Sequence, residues 1–177
     1  MNKKSSIFEV LDFFMENKIF QKYINSPIGW IEIKTSANSL LNISFVEKAV
    51  ITSSTQPKIL QQTELQLKEY FEGKRKLFNL RLNPAGSEFQ KGVWKWVENI
   101  SFGTTASYLE IAMQTGSSKN TRAVGMANGK NPIPIIIPCH RIIGANGKLT
   151  GYAGGLERKR WLLQHEIKFS EKPNLLF

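Results

Sequence analysis

The sequence predicts an α/β amino-terminal domain, made of a short antiparallel sheet and helices, followed by a mostly α-helical carboxy-terminal domain with a helix-turn-helix. Strand-like segments lie within residues 20–46, whereas apolar residues at helical spacing recur from residue 58 onward. The sequence Asn-Pro-Ala-Gly at 83–86 has the composition of a linker. We therefore expect two domains, residues 1–84 and residues 85–177.

The amino-terminal domain is predicted to begin with a helix and to continue as a sheet. Apolar residues at positions i, i+3, i+4 and i+7 predict an amphipathic helix over residues 5–17. Three strands are then predicted, at residues 20–24, 30–36 and 40–46, and in the second of them Ile31 and Ile33 alternate with Glu32 and Lys34. The turn sequence Ser-Pro-Ile-Gly at 26–29 separates the first two strands, which favours antiparallel pairing. A further helix is expected from residue 58 to a stop at Gly73.

The carboxy-terminal domain is predicted to open with a core helix. Ser87 begins this helix, with Gln90 at the spacing of a capping box, and the helix runs to residue 100. Its predicted buried face consists of Phe89, Val93, Trp96 and Ile100.

A pair of shorter helices forms a candidate helix-turn-helix. Ser107 and Glu110 make a second capping box, and Gly116 ends the first helix. Ser117 or Ser118 begins a second helix that runs to about residue 128. The order of helix, glycine-containing turn and helix is typical of the motif. Antiparallel helix pairs are common, however, and the small residues of the second helix suit tight packing as well as contact with nucleic acid.

Residues 131–143 contain the only cysteine of the chain at the end of an isoleucine-rich run. Three prolines interrupt this run, and because proline fixes φ and lacks a backbone donor, we predict a stiff extended arm through the core. His140 and Arg141 follow Cys139, and their positive charge is expected to lower the pKa of the thiol and to favour the thiolate. The alternative is a cysteine that serves only as a small buried apolar side chain.

The composition limits the possible classes of function. One cysteine excludes an internal disulfide, and with only two histidines we expect no metal site. No apolar run approaches the roughly 20 residues that span a bilayer, and no signal-peptide core is seen, so we expect a cytoplasmic protein. The net charge is +10, and residues 115–177 hold ten Lys or Arg against three Asp or Glu. This surplus indicates nucleic acid as partner, with an anionic membrane second and simple solubility as the plainest explanation.

Three segments together carry a family resemblance. They are Pro-Cys-His-Arg at 138–141, Asn131 eight positions before the cysteine, and Gly-Tyr-Ala-Gly-Gly-Leu at 151–156. With them the chain, from about Asn25 to Glu166, resembles the O6-alkylguanine-DNA alkyltransferases, also called methylated-DNA-protein-cysteine methyltransferases. The resemblance implies DNA repair by irreversible transfer, once per molecule, from O6-alkylguanine and less readily from O4-alkylthymine. It also implies base flipping, binding in the minor groove of double-stranded DNA, a monomer, and no cofactor.

The resemblance assigns the chemistry of the transfer to four residues. Cys139 is implied as the alkyl acceptor, and His140 as the base that acts through a water molecule. Glu166 is implied to orient and polarise His140, and Asn131 to brace the turn before the cysteine. This arrangement is a nucleophile with a base and a group that orients the base.

The resemblance also implies a guanine pocket and a surface for DNA. In the pocket, the resemblance implies that Tyr108 faces guanine N3 and that the backbone N–H of Ala153 faces O6. The carbonyls of Cys139 and Ile142 are implied to accept from the exocyclic amine. Tyr152 and Pro134 are implied to form the wall. Many family members have serine at the position of Ala153, but a backbone contact does not depend on the side chain. On the second helix of the motif, Arg122 is implied to enter the base stack of the DNA. Contacts to the DNA backbone are implied for Lys119, Thr121, Ala123 and Ala127.

Two functions of other classes stay open at this point. One is a protein that binds alkylated DNA without repairing it, although such alkyltransferase-like proteins lack the cysteine. The other is a Cys-His hydrolase, which would leave the basic helix-turn-helix unexplained.

Overall fold

A three-stranded antiparallel sheet forms the centre of the amino-terminal part. The computed structural model describes residues 18–50 and 56–171, so the helix predicted over 5–17 lies outside the described residues. The strands pair in chain order and are β1 (Phe20–Ser26), β2 (Gly29–Thr35) and β3 (Leu40–Val46). All three predicted strands are confirmed. Strand β1 is two residues longer than predicted, because its last residues pair with the start of β2.

Helix α1 (Lys58–Phe71) packs on this sheet through the fully buried Leu60 and Leu67. The predicted stop is confirmed, since Gly73 has a φ of +73° that glycine adopts without strain. A Cβ at Gly73 would lie 2.4 Å from the ring of Phe169. The glycine therefore lets the end of α1 approach the carboxy-terminal part closely.

The carboxy-terminal part is mostly helical, as predicted. Its helices are α2 (Glu88–Glu98), α3 (Tyr108–Gln114), α4 (Thr121–Gly129) and α5 (Leu156–Phe169). Two 3-10 turns and one short parallel pair complete it: Ser118–Asn120, Cys139–Arg141, β4 (Ala106–Ser107) and β5 (Ile142–Ile143). Both predicted capping boxes are present, at the starts of α2 and α3.

Helices α3 and α4 form the predicted helix-turn-helix. Gly116, with a φ of +99°, turns the chain after α3. The Ser117 hydroxyl then accepts from the backbone N–H of Lys119 at 3.2 Å and begins the 3-10 turn that leads into α4. Val124 and Ala127 of α4 are buried against the rest of the molecule.

The buried face of α2 differs from the predicted one. Val93, Trp94 and Val97 are buried, whereas Phe89 and Trp96 are 42% and 40% exposed. The apolar residues form a band about 160° wide, with Phe89 and Trp96 towards one edge and Trp94 at the other, so their spacing did not identify which edge is buried. The Trp94 side chain decides it, because its Nε1 donates to the carbonyl of Ala127 in α4 at 2.9 Å.

The segment before Cys139 is buried as predicted, but it is a turn and not a straight extended arm. The N–H of Ile137 donates to the carbonyl of Ile133 at 2.9 Å, and Ile135 between them has a φ of +75°. A positive φ is costly for a β-branched residue, by about 1 to 3 kcal/mol. Its dense surroundings hold it there, since Ile133, Ile135 and Ile137 are all fully buried.

Candidate active site around Cys139

Cys139 begins a 3-10 turn directly after the buried isoleucine turn. Only 4% of the residue is exposed. Its N–H donates to the carbonyl of Ile137 at 2.7 Å, and its own carbonyl accepts from Asn128 Nδ2 at 3.3 Å. Both neighbours are themselves buried, so the position of the thiol is fixed by backbone contacts on two sides.

Asn131 links the two ends of the turn that precedes the cysteine. Its Nδ2 donates to the carbonyl of Ile137 at 2.8 Å, and its Oδ1 accepts from the N–H of Ile133 at 2.9 Å. The side chain thus satisfies one backbone group on each side of the turn. Its position matches the bracing position expected for it.

The thiol of Cys139 is not a thiolate in the free protein. Burial raises its pKa from 9.0 to about 11, and the amide of Asn131 and the charge of Lys159 only partly offset that rise. The prediction that His140 and Arg141 lower this pKa is wrong. Both side chains turn towards Glu166 instead.

Glu166 is the centre of a buried network of charges. Its Oε1 lies 2.8 Å from His140 Nε2. Arg141 binds both carboxylate oxygens, Nε to Oε2 and Nη2 to Oε1, each at 2.9 Å. Burial alone would raise the pKa of the carboxyl, but the contacts with His140 and Arg141 outweigh burial and hold this pKa well below its usual range. Glu166 is therefore ionised.

The contact with Glu166 fixes the tautomer of His140. An ionised carboxylate only accepts hydrogen bonds, so Nε2 of His140 carries the hydrogen, and Nδ1 of the neutral ring carries a lone pair. Burial lowers the pKa of the imidazole and favours this neutral form. Nδ1 is buried and has no hydrogen-bond partner in the described part of the chain. It is thus positioned as a proton acceptor.

Two further groups on Glu166 come from distant parts of the chain. The Tyr70 hydroxyl of α1 donates to Oε1 at 2.9 Å, and the N–H of Gly103 donates to Oε2 at 3.1 Å. Gly103 has a φ of +74°, and a Cβ there would lie 2.6 Å from Ser170. No sequence pattern indicated Tyr70, which is 96 positions from Glu166.

Lys159 of α5 is fully buried, although lysine is a residue type that is mostly exposed. Its Nζ donates to the carbonyls of Ile142 at 2.6 Å and Thr150 at 2.7 Å. Burial lowers the pKa of this lysine from 10.5 to about 8, while the nearby Cys139 raises it slightly. The burial of Lys159 could have been predicted from its position, since it lies two helical turns before Glu166 and on the same face of the helix.

The residues assigned to the guanine pocket differ in burial and in hydrogen bonding. Pro134 and Ile142 are buried, and the Ile142 carbonyl keeps a second lone pair beside its bond to Lys159. The hydroxyl of Tyr152 is buried without a hydrogen-bond partner among the residues described. Ala153 is exposed next to it. The Tyr108 hydroxyl accepts from Thr150 Oγ1 at 3.3 Å, which joins α3 to the loop of residues 144–155.

Helix α4 presents most of the residues assigned to DNA on its outer side. Arg122 and Ala123 are exposed, as is Lys119 just before the helix, while Thr121 is half-buried. Ala127 does not fit its assignment, because it is 2% exposed and its carbonyl accepts from Trp94. Ala127 packs α4 on α2, and we remove it from the set of DNA contacts.

Within 18–50 and 56–171, no three His, Cys, Asp or Glu side chains group in a way that could hold a metal ion. None of the helices in these ranges is both long and apolar enough to cross a membrane.

Two family models match the chain and together define its class. Residues 19–84 match the ribonuclease-like domain of 6-O-methylguanine DNA methyltransferase, and residues 88–168 match the DNA binding domain of the same family. The chain thus has both domains of the 6-O-methylguanine DNA methyltransferase family, and the part with the helix-turn-helix also carries the cysteine.

Individual relatives agree over most of their length. The methylated-DNA-protein-cysteine methyltransferase of Mycolicibacterium paratuberculosis is 44% identical over 158 residues, which cover 87% of this chain and 96% of the relative. That of Methanosarcina acetivorans is 43% identical, covering 84% of this chain and 98% of the relative. The crystal structure of Mycobacterium tuberculosis OGT in complex with DNA is 44% identical with a TM-score of 0.77, covering 85% and 94%. The chain belongs to the methylated-DNA-protein-cysteine methyltransferase family.

Proposed function

We propose that this protein repairs DNA by transferring the alkyl group of O6-alkylguanine, and less readily that of O4-alkylthymine, to Cys139. The transfer is irreversible and occurs once per molecule. The observation that supports this most directly is the buried group in which Cys139 precedes a histidine held by an ionised Glu166. The curated relatives bear names that state transfer to a protein cysteine.

The transfer needs a proton acceptor only when the alkylated base is bound. His140 Nδ1 takes the proton of the thiol through a water molecule, and the Glu166 carboxylate stabilises the imidazolium that forms. The sulfur electron pair then forms a bond to the alkyl carbon while the bond from that carbon to O6 breaks. The proton released from sulfur ends on the guanine, so guanine is restored. The thioether has no comparable leaving group, which makes the step irreversible.

DNA reaches the site through the exposed side of α4. Arg122 enters the base stack from the minor groove, and Lys119, Thr121 and Ala123 contact the backbone. Ala123 has no side chain that would keep the helix away from the duplex. Flipping costs a few kcal/mol, less for a damaged base that pairs poorly.

The base enters between α3 and the loop of residues 144–155. The loop is anchored at Thr150 by Lys159 and at Gly154 by Arg158, whose Nη1 donates to the Gly154 carbonyl at 2.8 Å. We assign the movement that uncovers the thiol to residues 151–153 between these anchors. The Tyr152 hydroxyl and the Ala153 N–H then face the base as donors.

A single-turnover assay tests this function. A duplex with one O6-methylguanine is mixed with equimolar protein, and the restored guanine is measured for the natural chain and for Cys139→Ser. We expect one guanine per molecule from the natural chain and none from the variant. Tight lesion binding without transfer by the natural chain would instead support the non-repairing protein. Repeated ester hydrolysis that depends on Cys139 would support the hydrolase.

A further inference from the structure

We propose that Tyr70 is a positioning residue for the transfer, because its hydroxyl shares Glu166 Oε1 with His140 and so sets how strongly the carboxylate polarises the imidazole. The inference rests on the proposed function, since it concerns the same site. It gives the amino-terminal part of the chain, which carries Tyr70, a role in the chemistry.

The geometry at Oε1 makes the three donors compete for one oxygen. Tyr70 OH at 2.9 Å, His140 Nε2 at 2.8 Å and Arg141 Nη2 at 2.9 Å all contact it. Among the described residues, Oε2 receives two donors, from Arg141 and Gly103. Because the Tyr70 hydroxyl donates to this oxygen, it partly neutralises the negative charge of Oε1. The attraction between Oε1 and the His140 imidazole is therefore weaker.

Tyr70 is a donor in this contact and not an acceptor. It is fully buried, and burial followed by the charge of Glu166 raises the pKa of its phenol well above the usual value. The neutral hydroxyl therefore has a hydrogen to give to the ionised carboxylate. A buried hydroxyl bound to a charged acceptor is among the stronger hydrogen bonds in proteins.

The ring of Tyr70 has a separate structural task. It packs against Phe71, Phe78, Phe102 and His165, at centroid distances of 5.4, 5.5, 6.1 and 5.2 Å. Its backbone carbonyl accepts from His165 at 2.8 Å. Phenylalanine keeps the ring and the carbonyl, so Tyr70→Phe removes the hydroxyl and preserves the packing.

The other titratable groups near this pair stay in place in Tyr70→Phe. Arg141 and Lys159 act on His140 from the cysteine turn and from α5, and Tyr152 and His165 feel the charge of Glu166 from the loop and from α5. With one donor fewer on Oε1, the carboxylate binds the imidazolium more strongly. The pKa of His140 is then expected to rise by about 0.5 to 1 pH unit.

The test combines two readouts on the full chain. The chain has two histidines, so NMR titration follows His140 and His165 separately. We expect Tyr70→Phe to raise the pKa of His140 and to leave that of His165 unchanged. Since His140 acts as a base, the acid limb of the transfer rate should move to higher pH by the same amount, with unchanged affinity for DNA.

A matched control is Tyr23→Phe, which removes a hydroxyl that donates to Glu32 at 2.7 Å in the sheet, away from the site. It should leave both histidines and the rate profile unchanged. An unshifted His140 in Tyr70→Phe, a shift of His165 at least as large as that of His140, or a uniform loss of rate at all pH values would overturn the inference. If the natural chain transfers no alkyl group, the proposed function fails, but the titration of His140 still decides the role of Tyr70.

Discussion

The sulfur of Cys139 lies in a site that keeps it protonated until a substrate arrives. Burial raises the pKa of the thiol to about 11, and the adjacent imidazole is neutral with its lone pair on Nδ1. Because the thiolate is the reactive form, the free protein has little nucleophile at neutral pH. For the single transfer proposed above, this arrangement protects the thiol from oxidants and stray electrophiles.

The reactivity of the free thiol towards iodoacetamide should show this protection. We expect the alkylation rate of the folded protein to rise with a midpoint near pH 11, because that is where burial places the thiol pKa. Mass spectrometry of the peptide with Cys139 measures the rate, and no other cysteine interferes. The protein unfolded in urea is the control, with a midpoint near 9.0. A midpoint at or below 9 in the folded protein would contradict this picture of the site.

The charge of Glu166 should matter for both stability and transfer. Glu166→Gln leaves Arg141 buried without its carboxylate, and breaking such a buried pair costs about 3 to 5 kcal/mol of unfolding free energy. It also removes the stabilisation of the His140 imidazolium, so transfer should fall by at least about tenfold. Urea denaturation and the single-turnover assay measure the two effects. The control is Glu157→Gln on the exposed side of α5, which should change neither, and equal effects in both variants would refute the assignment.

Among the secondary-structure elements, the helix-turn-helix is held by contacts on its inner side, and its outer side is exposed in the described part of the chain. The Trp94 indole anchors α4 to α2 through the Ala127 carbonyl, and the buried Val124 lies on the same inner side. Arg122 and Met126 are exposed on the opposite side, one turn apart. Met126 was not among the predicted DNA contacts, but it is 61% exposed on the same side of α4 as Arg122.

Binding to DNA should depend on Arg122 in a way that salt reveals. For Arg122→Ala we expect weaker binding to an O6-methylguanine duplex and a slope of log affinity against log salt that is smaller by about one, since one cation no longer displaces a counterion. Fluorescence anisotropy at several salt concentrations measures both. Arg160→Ala removes an exposed arginine of α5 as the control. Equal affinity and an equal salt slope in the natural chain and Arg122→Ala would show that Arg122 does not contact DNA.

At the scale of the whole molecule, the two parts of the chain meet at the site. Tyr70 crosses from α1 to Glu166, and Gly73 packs against Phe169 at the end of α5. His165 lies between them, stacked on Trp161 at 4.8 Å and bound to the Tyr70 carbonyl. The amino-terminal part therefore supports the carboxylate directly.

Acid should destabilise the folded protein through three groups of this interface. The pKa values of His140 and His165 are lowered from 6.5, mainly by burial, and that of Glu166 is lowered by its partners. A lowered pKa in the folded state gives stability above the unfolded pKa that is lost as pH falls, so all three act in one direction. We expect the unfolding free energy to fall steadily from pH 7 to pH 4, more steeply than in His165→Gln. Urea denaturation at each pH measures this, and a flat or rising profile would be inconsistent with it.

The sequence predicted features that depend on neighbouring residues better than those that depend on distant ones. Both capping boxes and the stop at Gly73 are local, and all are confirmed. The predicted inner face of α2 was wrong, because only packing against α4 distinguishes the buried Trp94 from the exposed Trp96. Arg141 was expected beside the sulfur, but Glu166, 25 positions away, binds it. The burial of Lys159 and the contact of Tyr70 likewise depend on tertiary structure.

Peptide mass analysis after reaction with O6-methylguanine DNA shows whether the Cys139 sulfur accepts the alkyl group. We expect one methyl group on Cys139 in every molecule that has reacted, a matching amount of restored guanine, and no second turnover when more DNA is added. An unmodified Cys139 beside intact lesion DNA, or a methyl group on any other residue, would contradict this expectation.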